Sequence, residues 1–122
     1  MKKVLIADDE DNVRELITFC LEDEGYELYE ACDGNEALAR AREIKPDLMI
    51  LDVMMPGKVG YEVCEELKKD PATKDIIIIF LSSRTSPSSE KSAEMAGGDE
   101  WMYKPFEPSE LREKVRMFLE DK

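Results

Sequence analysis

Asp52 closes a short apolar run, Leu48-Met49-Ile50-Leu51, and opens a loop that carries Pro56 and Gly57. Four apolar residues without polar alternation read as a strand buried on both faces. An ionised carboxylate is costly inside a core, so the reading places Asp52 just past the strand's C-terminal edge. Other apolar runs end in the same manner. Val4 to Ala7 leads into Asp8-Asp9-Glu10, Ile76 to Leu81 into Ser82-Ser83, and Trp101-Met102 stands ahead of Lys104-Pro105. As parallel strands of one sheet, these runs would bring Asp8, Asp9, Asp52, Ser82 and Lys104 to a single edge, where open α/β sheets bind ligands. Carboxylates a few ångströms apart repel by roughly 4 kcal/mol per pair at an effective dielectric near 20. A cation relieves such a cluster, and an all-oxygen donor set suits Mg²⁺. With the metal present, Asp52 becomes a candidate nucleophile for a phosphoryl group. The metal, the Lys104 ammonium and the Ser82 hydroxyl would neutralise the phosphoryl oxygens during in-line transfer.

The elements that must position these residues alternate along the chain. After the first strand, Val13, Leu16, Ile17, Cys20 and Leu21 follow the spacing of an amphipathic helix. Asp11 or Asn12 is its expected N-cap and Gly25 its stop. Leu28 to Ala31 reads as a more polar strand at a sheet edge. A second helix is expected from about Asn35 to Glu43, helped by Asp33 near its start, with Ala37, Leu38, Ala41 and Ile44 inward and Pro46 closing it. Tyr61, Cys64 and Leu67 mark a third helix ending near Lys69. Ser86-Pro87 makes a good N-cap and first turn for a fourth, weakly patterned helix with Ala93, Met95 and Ala96, which Gly97-Gly98 stops. Pro108 opens the last helix, with Leu111, Val115, Phe118 and Leu119 on one face. Five strands alternating with five helices call for a parallel sheet covered on both faces. One domain spanning residues 1–122 is expected, without linker, repeat or low-complexity tract.

Composition excludes several classes. There is no histidine, so the chain cannot build a Ser-His-Asp triad or a His-ligated zinc site, nor donate phosphate from a histidine of its own. A net charge of −12 argues against direct nucleic-acid binding, which needs a basic face. Three widely spaced cysteines, Cys20, Cys32 and Cys64, form no Cys-x-x-Cys pair and are expected as core filler in a reducing compartment. The N-terminal apolar run stops at Ala7 and turns acidic, so no signal peptide is read. No stretch is long enough to span a membrane. A cytoplasmic protein is expected.

The same residues carry a family resemblance over essentially the whole chain. Asp8-Asp9-Glu10, LDVMMPG around Asp52, FLSS at Ser82 and GGDEWMYKPF from Gly97 to Phe106 together resemble a response-regulator receiver domain. The resemblance implies a flavodoxin-like fold with strand order 2-1-3-4-5. It implies Asp9, Asp52 and the backbone carbonyl of Met54 as Mg²⁺ ligands, with Asp8 acting through water. It further implies Lys104 as the phosphoryl contact and Ser82 with Trp101 as the switch pair. The function expected on this basis is that of a stand-alone receiver, a switch rather than an enzyme. It would be charged at Asp52 by a sensor histidine kinase or histidine phosphotransfer protein. It would signal to a downstream protein through the face of the fourth helix, fifth strand and fifth helix.

Some positions depart from the commonest pattern. Val59 stands where an acidic or amide residue usually precedes the glycine, which removes a good N-cap from the third helix. Ser83 replaces a small apolar residue, and Arg84 follows it. Rival readings fare worse on the same residues. A haloacid-dehalogenase-type phosphatase needs a second Asp two residues after its nucleophile, where this chain has Met54. A flavin-mononucleotide binder would need its first loop to cradle a phosphate, which Asp8, Asp9 and Glu10 would repel. A phosphorylation-independent interaction module is the third alternative.

Overall fold

In the computed structural model, which describes residues 1–83 and 96–119, strands alternate with helices. The strands are β1 (Lys3–Ala7), β2 (Glu27–Ala31), β3 (Leu48–Asp52), β4 (Ile77–Ser83) and β5 (Glu100–Lys104). The α-helices among the described residues are α1 (Asp11–Leu21), α2 (Gly34–Ile44), α3 (Gly60–Lys69) and α4 (Pro108–Leu119), with a short 3₁₀ turn at Glu22–Glu24. The helix expected from Ser86 lies outside the described residues. The sheet is five-stranded and parallel in the order β2-β1-β3-β4-β5, as the resemblance implied.

Side chains alternate across a strand, and the apolar runs use both sides. From β1, Leu5 and Ala7 join Met49, Leu51, Ile78 and Phe80 beneath α2 and α3, contributed by Ala37, Leu38, Ala41, Val63 and Leu67. Val4 and Ile6 face the other way, with Leu48, Ile50, Ile79 and Leu81 against Ile17 and Leu21 of α1 and Leu111 and Val115 of α4. All five residues of β3 are buried. Each large aliphatic side chain buried this way stabilises the fold by about 1.5–3 kcal/mol, so register is strongly fixed in the strands that carry the acids. β2, half-exposed along most of its length, is an edge strand as expected.

Several local readings need correction. Asp52 is the last paired residue of β3, opposite Leu81, rather than a residue beyond the strand. β4 starts at Ile77, not Ile76, and continues through the serines expected to end it. β5 reaches Lys104, so Ser82 finds a partner in Tyr103 and Ser83 in Lys104. Asp11 lies inside α1. The N-cap is Glu10, whose carbonyl accepts from the amides of Val13 and Arg14 at 3.1 and 3.2 Å. Gly25, at φ 84°, ends the 3₁₀ turn that extends α1 rather than α1 itself. Cys20 and Cys64 are buried as expected, but Cys32 is exposed because it follows the last residue of β2.

The helix starts agree better with the sequence. Asp33 caps α2, accepting from the Glu36 amide at 2.8 Å, while the Glu36 carboxylate accepts from the Cys32 amide at 2.6 Å. α3 has Val59 at its N-cap and no side-chain cap, the consequence expected of valine there. Gly60 opens α3 against the site, and a Cβ on it would lie 2.4 Å from the Asp52 carbonyl oxygen. The absent side chain lets α3 start directly behind the Asp52 backbone.

Candidate functional site

Parallel strands deliver their C-terminal ends to one edge, and this edge holds the chemistry. A cavity of about 290 Å³ opens there, lined by Asp9, Glu10, Asp52, Val53, Met54, Ser82 and Lys104. Asp8 lies fully buried behind it, and Asp52 is only 5% exposed. The Lys104 ammonium is 2.8 Å from Asp8 Oδ2, 3.2 Å from Asp52 Oδ2 and 3.6 Å from Glu10 Oε1. Asp8 Oδ1 accepts from the Glu10 amide at 2.9 Å, and Asp52 Oδ1 from the Met54 amide at 3.4 Å.

One ammonium therefore serves three carboxylates, with Asp9 adding a fourth beside them. The electrostatic result is visible at Asp52, whose carboxyl is pushed up to about 6, first by burial and then by the charge of Asp8, against the opposing pull of Lys104. Burial alone would lower the Lys104 ammonium, but its hydrogen bond to Asp8 and the charge of Asp52 leave it raised. The lysine stays charged, and the acids still outnumber it. Carboxylate oxygens of Asp8, Asp9 and Glu10 lie within 4.8 Å of one another. A hard, oxygen-lined, cation-poor pocket fits Mg²⁺ better than a softer metal.

Of the residues read from the sequence, Asp8, Asp9, Asp52, Ser82 and Lys104 are brought together as expected. Ser82 is buried on β4, in the cavity wall. Met54 also lines the cavity, with its side chain 67% exposed. Trp101 does not reach the cavity. It packs instead on the sheet, 6.2 Å from the Phe80 ring and 5.7 Å from the Tyr103 ring, and its buried Nε1 has no hydrogen-bond partner among the described residues. Arg84 lies outside the described residues. Glu10 is a member of the site that sequence reasoning left unassigned, although the third acid in a row was a usable signal. Gly60 was another, since a helix starting directly behind a strand end leaves no room for a Cβ.

The fold, the acid-lined edge and the strand-end lysine define a phosphoacceptor receiver. The family model for the response regulator receiver domain matches residues 4–116, and the chain belongs to that family. It is 37% identical over 118 residues to the alkaline phosphatase synthesis transcriptional regulatory protein PhoP of Bacillus subtilis, covering 97% of this chain and 48% of that protein. It is 40% identical over 118 residues to the phosphate regulon transcriptional regulatory protein PhoB of Pseudomonas aeruginosa, covering 97% and 52%. The chain thus spans about half the length of these curated relatives. Among solved structures, chemotaxis protein CheY4 of Vibrio cholerae superposes with a TM-score of 0.89 at 35% identity, covering 98% of this chain and 99% of that one. Receiver domains act in two-component signal transduction as phosphorylation-dependent switches, bind Mg²⁺ at an acidic pocket, and interact with histidine kinases and downstream targets. No helix among the described residues is long and apolar enough to cross a membrane.

Proposed function

We propose that this chain is a cytoplasmic receiver unit that takes a phosphoryl group on Asp52 from a phosphohistidine of a sensor kinase or phosphotransfer protein. The observation that carries the reading is the Asp52 carboxylate at the cavity wall, held 3.2 Å from Lys104 among acids that a single ammonium cannot balance. In the transfer, an Asp52 oxygen forms a bond to phosphorus as the P–N bond breaks and its electron pair returns to the donor imidazole. Lys104 contacts the incoming phosphoryl oxygens, and the Ser82 hydroxyl, from the cavity wall, donates to them. Asp9, Asp52 and the Met54 carbonyl would hold Mg²⁺, with Asp8 acting through water. When bound there, the ion supplies charge neutralisation for the phosphoryl group. The acidic balance of −12 supports a protein target rather than nucleic acid. The proposed output face combines β5 and α4 with the segment that follows β4, where the sequence leads one to expect a helix from Ser86. Labelling by acetyl phosphate with Mg²⁺, read by intact mass, tests the core of this reading.

Hydrolysis of the acyl phosphate needs a water in line behind phosphorus; the family resemblance implies that Met54, which lines the cavity, flanks that approach, and its side chain has no group to orient a water. Met54→Asn adds an amide, and one oriented hydrogen bond worth about 1 kcal/mol corresponds to roughly fivefold in rate. The phosphoryl group should therefore decay several-fold faster from Met54→Asn than from the parent. Following the loss of the phosphorylated mass in both proteins decides it, and equal lifetimes would remove Met54 from the account.

Trp101 offers a spectroscopic check of the switch. Its ring is half-buried, and its indole N–H is unsatisfied among the described residues, a cost that a second packing could relieve. Drawing Ser82 towards a phosphoryl group would shift the balance between two packings of the ring. Trp101 emission should change on adding Mg²⁺ with beryllofluoride, a phosphoryl mimic. The change should vanish in Asp52→Asn and shrink in Ser82→Ala. Emission indifferent to bound mimic would make Trp101 plain core packing.

A further inference from the structure

Arg14 sits one turn into α1 with its side chain 13% exposed, and it joins three segments at the back of the acid cluster. Nη1 donates to the main-chain carbonyl of Asp8 at 2.6 Å, Nε donates to Glu30 Oε1 on β2 at 3.0 Å, and Nη2 donates to Asp11 Oδ1. A guanidinium can make such divergent bonds because its donors are fixed in one plane. Asp8 is thereby held through both its main chain and its side chain. Its amide donates to the Ala31 carbonyl at 3.1 Å, its carbonyl accepts from Arg14, and its carboxylate accepts from the Glu10 amide through Oδ1 and forms an ion pair with Lys104 through Oδ2.

Asp9 is the contrast. Its side chain is exposed, lines the cavity, and makes no hydrogen bond or ion pair among the described residues. Its direction is therefore set by the backbone, and the peptide joining it to Asp8 is the one whose oxygen Arg14 grips. We propose that Arg14 is a positioning residue for the divalent cation. It fixes the Asp8–Asp9 peptide so that the Asp9 carboxylate faces the cavity, with Glu30 orienting the guanidinium. This rests on the Mg²⁺ reading of the pocket above. The role is distinct from that of an exposed ion pair, because what matters is the grip on a carbonyl rather than the charge.

The test compares Arg14→Lys, which keeps the charge but loses the fork, with Arg14→Gln, which loses both. Mg²⁺ affinity is measured by titration calorimetry without a phosphodonor, at low and at 0.5 M KCl, and thermal unfolding is followed in EDTA. Outer partners of metal ligands typically carry 10–100-fold in affinity, so both variants should bind Mg²⁺ about tenfold more weakly at either salt concentration. Parent-like binding by Arg14→Lys, or a loss in Arg14→Gln that disappears at high salt, would mean that Arg14 acts only by charge and would overturn the proposal. Should the Arg14 variants unfold, Glu30→Gln on the exposed edge strand serves instead. It should bind Mg²⁺ about threefold more weakly at 0.5 M KCl, and parent-like affinity there would overturn the proposal. A parent protein that takes up no Mg²⁺ would overturn the metal reading itself and this proposal with it, an outcome distinct from either failure of the variants.

Discussion

Asp52→Asn should lose all labelling by acetyl phosphate while keeping the fold. The parent, incubated with Mg²⁺ and the donor, should gain one phosphoryl mass, and the variant none. The expectation is all-or-none because the change removes the nucleophile and little else. An amide nitrogen is not nucleophilic, and the amide oxygen carries no full charge to attack phosphorus. The site supplies no close substitute. Asp8 is fully buried and already holds Lys104 at 2.8 Å and the Glu10 amide at 2.9 Å. Asp9 and Glu10 line the same cavity, but neither is paired as Asp52 is, with a lysine on one oxygen and a backbone amide on the other. The control is Lys104→Ala, which should slow labelling without moving it. Full labelling of Asp52→Asn would transfer the acceptor role to another carboxylate, with Asp9 the first to map.

How far the sequence led to this site depended on whether each residue's setting was local. Asp52 and Asp8-Asp9 were readable because each ends an uninterrupted apolar run, and parallel strands must deliver such ends to one edge. Lys104 and Ser82 were readable for the same reason. What local pattern could not give is how far each strand is paired, since that depends on the neighbour. β4 extends through Ser82 and Ser83 only because β5 runs to Lys104 beside it. The strand order was likewise not a property of any one segment and came from the family resemblance. Cys32 was misplaced because its burial depends on where β2 stops, one residue before it. Arg14 gave no signal at all. On a helical wheel it is an ordinary polar residue, and its importance appears only when Asp8, Asp11 and Glu30 are seen to converge on it.

The buried charge that makes Asp52 reactive should also make the metal-free fold less stable, and this sets a second large effect. Its carboxyl rises from 3.8 to about 6 in the folded protein, chiefly through burial and then through Asp8. A carboxyl raised on folding is one that the folded state prefers protonated. Between these two values the folded protein binds more protons than the unfolded chain, so stability falls as pH rises and levels off above about 6. At 1.36 kcal/mol per unit the full swing is about 3 kcal/mol, and water at the cavity mouth screens part of it, leaving about 2 kcal/mol. Asp52→Asn carries no such charge. In EDTA at pH 7.5 it should be more stable than the parent by about 2 kcal/mol, with the difference shrinking towards zero near pH 4 as Asp52 in the parent becomes neutral. Saturating Mg²⁺ should reverse the order, since a ligand that binds only the folded parent stabilises it by mass action and the variant has lost a ligand oxygen. Urea unfolding at pH 4, 5, 6 and 7.5, with and without Mg²⁺, measures all of this on two proteins. Loss of the Lys104 partner pulls the other way, at 3.2 Å and largely out of water. A variant less stable than the parent at pH 7.5 in EDTA would show that this pairing outweighs the burial of the charge, and that Lys104 already balances the pocket without a metal.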